Sequence, residues 1–340
     1  MIRESQGPGG GSETVPPPGA TRQEASAVRG GSVRQAGRDL YDIDVHPVLS
    51  PGAAKAACAK PLVVPQRRVK ADRLRGRDEL VGTLMAAIDR IRARQCPDNG
   101  QVCILHGMGG CGKTTVAMEV AHRARDAGIP TWWVSATVPA ELEACLHAVA
   151  FDVGATEDEL ARGHPADVLW RHLDSAAQPW LLVIDNADDL DLLEAGAGRL
   201  ADGRGWLRSP APGAGLVLVT SREGAHSQWG SWTHLEPVPV LGETDGGQVL
   251  CDLAPQAGDS GNARSLCTWL GGLPLALDLA GSYLADAAAS LWPQPGTPDT
   301  FDSYQAVLEA QFDTLGADPS ATSEERARRK LTSTCEPDPL

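Results

Sequence analysis

The stretch ILHGMGGCGKTTVAMEVA, at residues 104–121, limits more than any other feature what this chain can fold into. An apolar run leads into a glycine-rich loop, and a helical pattern follows the loop directly. The segment GMGGCGKT fits the pattern GxxxxGK[ST], in which backbone N–H groups and a lysine surround phosphate groups. Such a loop needs a buried strand before it and a helix N-terminus after it. The stretch therefore predicts a phosphate-binding loop in an α/β fold.

Strand-like and helical patterns alternate on both sides of this loop. The short apolar runs are QVCILHG, TWWVSAT, WLLVIDN and GLVLVTSR, and amphipathic helical patterns lie between them. This alternation predicts a P-loop NTPase parallel sheet with helices on both faces. From about Leu235 the strand patterns stop and four helical patterns follow, which predicts a small all-helical domain after the sheet.

These patterns divide the chain into four predicted segments. Residues 1–70 are rich in Gly, Pro, Ser and Arg, so we expect a disordered arm or linker. Residues 71–234 are predicted to form the nucleotide-binding α/β domain, and residues 235–318 a helical bundle. The charged residues 319–340 are predicted to be a frayed tail.

The composition argues against several classes of protein. The formal net charge is −14, which disfavours binding to the phosphates of nucleic acid. No apolar run approaches the ~20 residues of a membrane span, and the amino terminus lacks the apolar region of a secretory signal. The eight cysteines show no CxxC and no zinc-like spacing. We therefore expect a cytoplasmic protein that does not bind a membrane, and binding of this chain alone to nucleic acid is not expected.

Two strand ends carry side chains that suit phosphate chemistry. WLLVIDN ends near Asp185, at the carboxyl edge where ligands of parallel sheets bind, and a carboxylate there suits Mg²⁺. GLVLVTSR ends in Arg222, which could lie against a γ-phosphate or simply be a solvated arginine. Asp185 is thus a candidate magnesium ligand and Arg222 a candidate phosphate sensor.

The residue after Asp185 bears on whether ATP would be hydrolysed. ATPases with rapid turnover often place a glutamate there to activate water, whereas this chain has Asn186. An amide orients water but cannot accept its proton. Asp188 or Asp189 could substitute for the glutamate, or could cap the helix expected near Leu190. Slow hydrolysis or none is the expectation.

The motifs, taken in chain order, resemble those of the NB-ARC family of the STAND class of P-loop NTPases, in its bacterial type. They are RGRDEL, GMGGCGKTT, TWWVSA, WLLVIDNADD, LVLVTSR and GGLPLAL, and they cover roughly residues 72–315. The resemblance implies a switch that clasps ADP or ATP with Mg²⁺ between two domains. It extends only to the nucleotide core, because no winged-helix domain or repeat array is recognisable. We therefore expect either a truncated switch or one that works with parts from other chains.

The resemblance also implies roles for individual residues. Lys113, Asp185 and Arg222 would act on the phosphates, and Thr114 and Asp185 would ligate Mg²⁺. The backbone at Gly76 and Arg77 would lie along adenine, although Arg75 replaces the apolar residue usual in the family. The full set expected to contact the nucleotide is Gly76, Arg77, Gly107, Gly109, Gly110, Cys111, Gly112, Lys113, Thr114, Thr115 and Pro274.

The function expected from these features is an ADP/ATP-binding regulatory switch in signal transduction or transcriptional regulation, at most a slow ATPase. Its partners would be an adenine nucleotide and, depending on that nucleotide, a second copy of the chain or another protein. Two alternatives stay open at this point. One is a turnover ATPase of remodelling type, and the other is a truncated module that only mediates interactions.

Overall fold

A computed structural model of the chain describes residues 33–35, 41–43, 63–66, 74–93, 95, 101–195, 199–290 and 296–315. Most of the arm predicted for residues 1–70, and all of the tail predicted for residues 319–340, lie outside these ranges. Strands and helices follow one another in the described part as the sequence patterns predict. The division into domains at residues 71, 235 and 318 stays a prediction.

Seven strands are described. They are β1 (Val33–Gln35), β2 (Tyr41–Ile43), β3 (Val102–His106), β4 (Thr131–Ser135), β5 (Trp180–Asp185), β6 (Gly215–Ser221) and β7 (His234–Pro237). β1 and β2 pair antiparallel and belong to a unit separate from the one that holds all other elements. β3 to β7 form one parallel sheet in the order β4-β5-β6-β3-β7. The predicted parallel sheet is confirmed.

Ten α-helices are described in the same ranges. They are α1 (Asp78–Arg92), α2 (Lys113–Asp126), α3 (Pro139–Asp152), α4 (Glu157–Arg162), α5 (Pro165–Asp174), α6 (His226–Trp229), α7 (Glu243–Leu253), α8 (Ser260–Trp269), α9 (Pro274–Ala289) and α10 (Phe301–Leu315). Two 3₁₀ turns, Leu190–Leu193 and Leu200–Asp202, follow β5. None of the described helices is both long and apolar enough to cross a membrane.

The sheet is covered on both faces because its strands are apolar on both sides. Val217 and Val219 of β6 belong to a buried cluster with residues of α3 and α5. Leu216 and Leu218, which alternate with them, belong to a second cluster with residues of α1 and α2. Side chains of successive strand residues point to opposite faces. The continuous apolar runs in the sequence therefore mark a sheet buried between two helical layers.

The four helices after the sheet have an apolar cluster of their own. Leu250, Leu266, Leu277 and Phe301, one from each of α7 to α10, are all fully buried within it. α9 also takes part in the sheet's second cluster, through Ala276 in its first turn. The start of α9 is thus packed on the side of the sheet that α1 and α2 cover, while its later turns pack within the helical group.

The fifth strand of the sheet is not foreseen by the sequence analysis. Strand patterns were expected to stop near Leu235, but β7 continues to Pro237 and pairs with β3. This strand has four residues, HLEP, none of them fully buried. An edge strand with one solvated side has no apolar run, which is why the pattern is missing.

One short segment within the predicted arm packs on the sheet unit. Val64 is buried in the cluster beside α2. The carbonyl oxygen of Pro65 lies 2.8 Å from the Nε2 atom of His122 on α2. Packing against the fold therefore begins before residue 71.

Candidate functional site

The glycine-rich loop lies between β3 and α2, as predicted. Gly110 and Gly112 have φ angles of +81° and +97°, in the left-handed region that side chains other than glycine rarely adopt. Gly112 is the N-cap of α2, so the positive end of that helix faces the loop. The loop thereby turns its backbone toward the helix N-terminus, which is the geometry of an anion site.

The Lys113 side chain folds back over this loop. Its ammonium group donates to the carbonyl oxygens of Gly107 at 2.8 Å and Met108 at 2.9 Å. The lysine side chain is only partly buried. The positive charge is therefore held against the backbone of the glycine-rich loop.

Thr114 and Asp185 meet at the carboxyl edge of the sheet. The Thr114 hydroxyl donates to Oδ1 of Asp185 at 2.9 Å, and the Thr220 hydroxyl donates to the same oxygen at 2.6 Å. Asp185 is 6% exposed. The fold thus brings together the two predicted magnesium ligands, which are far apart in the sequence, and fixes the carboxylate from a neighbouring strand.

The chain turns sharply directly after Asp185. Asn186 has a φ angle of +60° and is the one non-glycine residue with positive φ in the described part of the chain. Its N–H donates to the Thr220 hydroxyl at 2.9 Å, and the N–H of Ala187 donates to the carbonyl of Thr220 at 2.8 Å. Asparagine tolerates this conformation better than most side chains. Asn186 therefore forms part of a turn that is hydrogen-bonded to Thr220 of β6.

The turn brings Asp188 against Arg222 at the end of β6. Oδ1 of Asp188 accepts the N–H of Arg222 at 2.8 Å, and Oδ2 lies 2.7 Å from its Nε atom. Asp189 instead caps the 3₁₀ turn at Leu190, accepting the N–H of Asp191 at 3.2 Å. The capping role predicted for this pair of aspartates is confirmed for Asp189, whereas Asp188 engages the candidate sensor arginine.

Arg77, the N-cap residue of α1, is buried and supports the loop with its side chain. Its Nη2 atom donates to the carbonyl oxygens of Cys111 at 3.0 Å and Pro239 at 2.5 Å. Burial lowers the pKa of this guanidinium, while the nearby Cys111 and Asp245 oppose that shift. The side chain thus joins the phosphate loop to the segment after β7. The sequence indicated only a backbone role for this residue.

Arg75, which stands where the NB-ARC pattern has an apolar residue, has a charged partner in the structure. It forms an ion pair with Asp252 of α7, with Nη2 and Oδ2 2.8 Å apart. Its Nε atom also donates to that oxygen, at 2.9 Å. The segment before α1 is therefore attached to the helices that follow the sheet by a charged contact, where the family has an apolar residue.

The first turn of α9 lies directly on the phosphate loop. The N–H of Leu275 donates to the carbonyl oxygen of Gly110 at 3.2 Å. A Cβ atom placed on Gly110 would lie 2.9 Å from the Cβ of Leu275, and one on Gly112 would lie 3.8 Å from the Cγ of Pro274. Pro274, predicted to contact the nucleotide, is thus beside the loop.

The predicted site residues fall into two groups. Around the loop, the fold gathers Arg77, Gly107, Gly110, Cys111, Gly112, Lys113, Thr114, Asp185 and Pro274 through the contacts given above. Gly76 lies against α7, because a Cβ there would lie 2.7 Å from Oδ2 of Asp245. Gly109 has open space beside it, and Thr115 is in the first turn of α2. Contact of each residue with a nucleotide stays a prediction.

The donor set at this edge fits a nucleotide phosphate with magnesium. Magnesium is held in proteins by one or two carboxylates, with phosphate and water oxygens completing the shell. The Thr114 hydroxyl and the Asp185 carboxylate offer such oxygens side by side. Lys113 supplies positive charge and the loop supplies backbone N–H groups. In the described residues no group of three or more His, Cys, Asp or Glu could hold a metal ion.

Comparison with known proteins agrees with this geometry. A family model described as an AAA ATPase domain matches residues 73–201. A nucleotide-binding leucine-rich repeat (NLR)-like protein of Hyaloscypha variabilis is 28% identical over 222 residues, which cover 62% of this chain. The match spans 22% of that relative's length.

Two solved structures are also similar. A Walker-type ATPase of Pyrococcus abyssi is 12% identical, with 79% of each chain covered and a TM-score of 0.49. A signal transduction ATPase with numerous domains (STAND) from Pyrococcus horikoshii, which has a tetratricopeptide repeat sensor, is 15% identical with a TM-score of 0.40. That match covers 72% of this chain and 33% of the other.

The assignment rests on the loop, the order of the motifs along the chain, and the two sequence matches. The AAA ATPase model covers the strand, loop and helix that carry Lys113 and extends past Asp185. The NLR-like relative carries the match over a longer stretch. The chain holds a P-loop NTPase fold, and over residues 73–201 it is similar to the AAA ATPase domain family.

Proposed function

We propose that this chain is a regulatory switch set by adenine nucleotide, in signal transduction or transcriptional regulation, that hydrolyses ATP slowly or not at all. The observation that carries the proposal is the hydrogen bond between Leu275 and Gly110. It joins the first turn of α9 to the loop that would hold the phosphates. A ligand shifts an equilibrium only through contacts that differ between two states. This contact is one that a bound nucleotide can change.

Two more contacts support communication between the loop and the helices after the sheet. Arg77 binds both Cys111 in the loop and Pro239 in the connection that leads to α7. Further along this connection, the N–H of Leu241 donates to the carbonyl of Gly272, 2.8 Å away, just before α9. A displacement of the loop would therefore reach the helices by two routes.

Slow hydrolysis is supported by the side chains around Asp185. Asn186 cannot accept a proton from water, and its backbone is held in a turn by Thr220. Arg222 follows β6 at the edge that carries Asp185, so we propose that it senses the γ-phosphate.

The proposed ligands are ADP or ATP with Mg²⁺. Gly76, Arg77 and Pro274 would lie at the adenine side, and Lys113, Thr114 and Asp185 at the phosphate side. Exchange of ADP for ATP would alter the packing of α9 and permit association with a second copy or another protein. The match spans 22% of the NLR-like protein, and we propose that the stimulus and the output depend on regions outside the matched stretch.

The proposal is tested by the nucleotide that the purified protein retains and by its turnover. Native protein should copurify with ADP or ATP, and Lys113→Ala protein prepared in parallel should carry none. Steady-state hydrolysis should be well below about 1 s⁻¹. Faster turnover would instead support a turnover ATPase of remodelling type. A protein that binds no adenine nucleotide would be an interaction module.

A further inference from the structure

We propose that Asp188 sets the preference of this site between ATP and ADP by holding Arg222 until a γ-phosphate competes for it. The inference rests on the proposed function, in which Arg222 senses that phosphate. Asp188 does not need to touch the nucleotide itself. It is a positioning residue that determines specificity through the arginine.

The contact between the two residues is double. One carboxylate oxygen accepts the backbone N–H of Arg222, and the other lies 2.7 Å from its Nε atom. The carboxylate therefore fixes both the backbone and the side chain of the arginine. A guanidinium neutralised in this way attracts a phosphate less strongly than a free one.

The chain directly before Asp188 is held in place by contacts that do not involve the arginine. Asn186 and Ala187, which precede it, are hydrogen-bonded to the side chain and the carbonyl of Thr220. The Thr220 hydroxyl in turn donates to Asp185. The two residues directly before Asp188 are thus hydrogen-bonded to the same threonine that fixes the Asp185 carboxylate. If Arg222 moves away, the chain at Asp188 stays in place, and the two side chains can form the ion pair again.

The sheet register puts this pair beside the phosphate loop. Ser221 of β6 pairs with His106 of β3, the strand that leads into the loop. Arg222 therefore follows its strand at the level where Gly107 follows His106. In a parallel sheet, residues that follow neighbouring strands at the same level share one edge. The arginine is accordingly at the edge where the terminal phosphates would lie.

The pair is also weak enough to be exchanged. The Arg222 side chain is 72% exposed and that of Asp188 is 34% exposed. Ion pairs this exposed to water contribute little to stability, because water and salt screen them. A γ-phosphate that carries more charge than one carboxylate can displace Asp188. ADP lacks that group and would leave the arginine where the structure has it.

The test compares the dissociation constants of Mg²⁺-ADP and Mg²⁺-AMP-PNP, a non-hydrolysable ATP analogue, by titration calorimetry. Asp188→Asn keeps an oxygen for the Arg222 N–H but removes the charge. We expect it to shift the ratio about two- to fivefold toward the ATP analogue, the range that an exposed ion pair contributes. Asp191→Asn removes an exposed carboxylate from the next 3₁₀ turn and should leave the ratio unchanged. Urea unfolding of each variant should match the wild type.

Arg222→Ala separates this inference from the proposed function. If it does not weaken binding of the analogue relative to ADP, the sensor role itself is wrong. If it does so while Asp188→Asn has no effect, or shifts the ratio toward ADP, the inference about Asp188 is wrong and the sensor role stands. In the Arg222→Ala background, Asp188→Asn should change nothing. A change of the same size there would show that the carboxylate acts without the arginine, which also contradicts the inference.

Discussion

Leu275 donates its backbone N–H to the carbonyl oxygen of Gly110, so the first turn of α9 is hydrogen-bonded to the phosphate loop. The two residues are far apart in the chain and are brought together by the connection after β7. The buried Ala276, one residue further along α9, belongs to the same apolar cluster as Cys111 in the loop. A movement of the loop backbone would therefore displace the first turn of α9.

Gly110→Ala should disturb this contact and destabilise the protein more than backbone strain alone would. The new Cβ would lie 2.9 Å from the Cβ of Leu275. Gly128→Ala is a matched control, because Gly128 also has positive φ (+77°) but nothing within 4 Å of its Cβ position. Strain at positive φ should cost each variant about 1 kcal/mol, and overpacking should add about 1–3 kcal/mol for Gly110→Ala alone. Equal losses in urea unfolding would contradict the contact.

Lys113→Ala should abolish nucleotide binding. The ammonium group stands over the loop carbonyls of Gly107 and Met108, and it supplies the side-chain charge expected to face the phosphates. Each charged hydrogen bond from the ammonium group to a phosphate contributes about 1.5–3 kcal/mol, or roughly 10- to 150-fold in affinity, so losing the bonds to more than one phosphate oxygen should remove measurable binding. Fluorescence titration with a labelled ADP measures this loss. Wild-type affinity in the variant would show that the phosphates bind elsewhere.

Arg77→Met should weaken both folding and nucleotide binding. The variant replaces the guanidinium by an unbranched apolar side chain and so removes the donor to the carbonyls of Cys111 and Pro239. We expect the free energy of unfolding to fall by about 1–3 kcal/mol and ADP affinity to fall with it. Arg90→Met, at a residue whose side-chain hydrogen bond is exposed on α1, is the control. A variant with unchanged stability and normal ADP affinity would show that the Arg77 side chain does not support the loop.

Glu159 should make the fold sensitive to acid. Hydrogen bonds from the N–H and hydroxyl of Thr156, followed by that of His172, lower the pKa of its carboxyl from 4.5 to about 2. Because the folded pKa lies below the unfolded value, the carboxylate stabilises the fold fully above about pH 4.5. That contribution is lost as the pH falls toward about 2.

Glu159→Gln tests this linkage because it removes the charge and keeps an oxygen acceptor. The difference in stability between wild type and Glu159→Gln, measured by urea unfolding, should be largest near pH 6 and shrink on acidification. Glu157→Gln, on the same turn of α4, controls for the loss of one carboxylate. A difference that stays constant with pH would contradict the assigned pKa.

The parallel sheet and the loop could be predicted from the sequence because their signals are local. Continuous apolar runs such as β5 and β6 are buried on both faces, and the glycine pattern around Lys113 has one dominant structural meaning. The helical group after the sheet was predicted for the same reason. Each of its four helices carries apolar residues at helical spacing.

The remaining features depend on contacts that no local pattern encodes. β7 is short, polar and at an edge, so its pairing with β3 gives no apolar run. The pairing of Asp188 with Arg222 depends on the turn at Asn186, whose positive φ angle a sequence pattern does not reveal. The side-chain role of Arg77 likewise arises only when the connection after β7 passes the loop. The sequence could identify Asp188, Arg222 and Arg77, but not the residues that they contact.

Hydrogen–deuterium exchange of residues 271–277 tests the central claim most directly. The intact protein would be compared with saturating Mg²⁺-ADP and Mg²⁺-AMP-PNP, with the Lys113→Ala protein as the control for effects that do not involve binding. If the chain is a switch, exchange in this segment should differ between the two nucleotides by several-fold and not change in the control. Equal exchange with both nucleotides, under conditions where both are bound, would contradict the account.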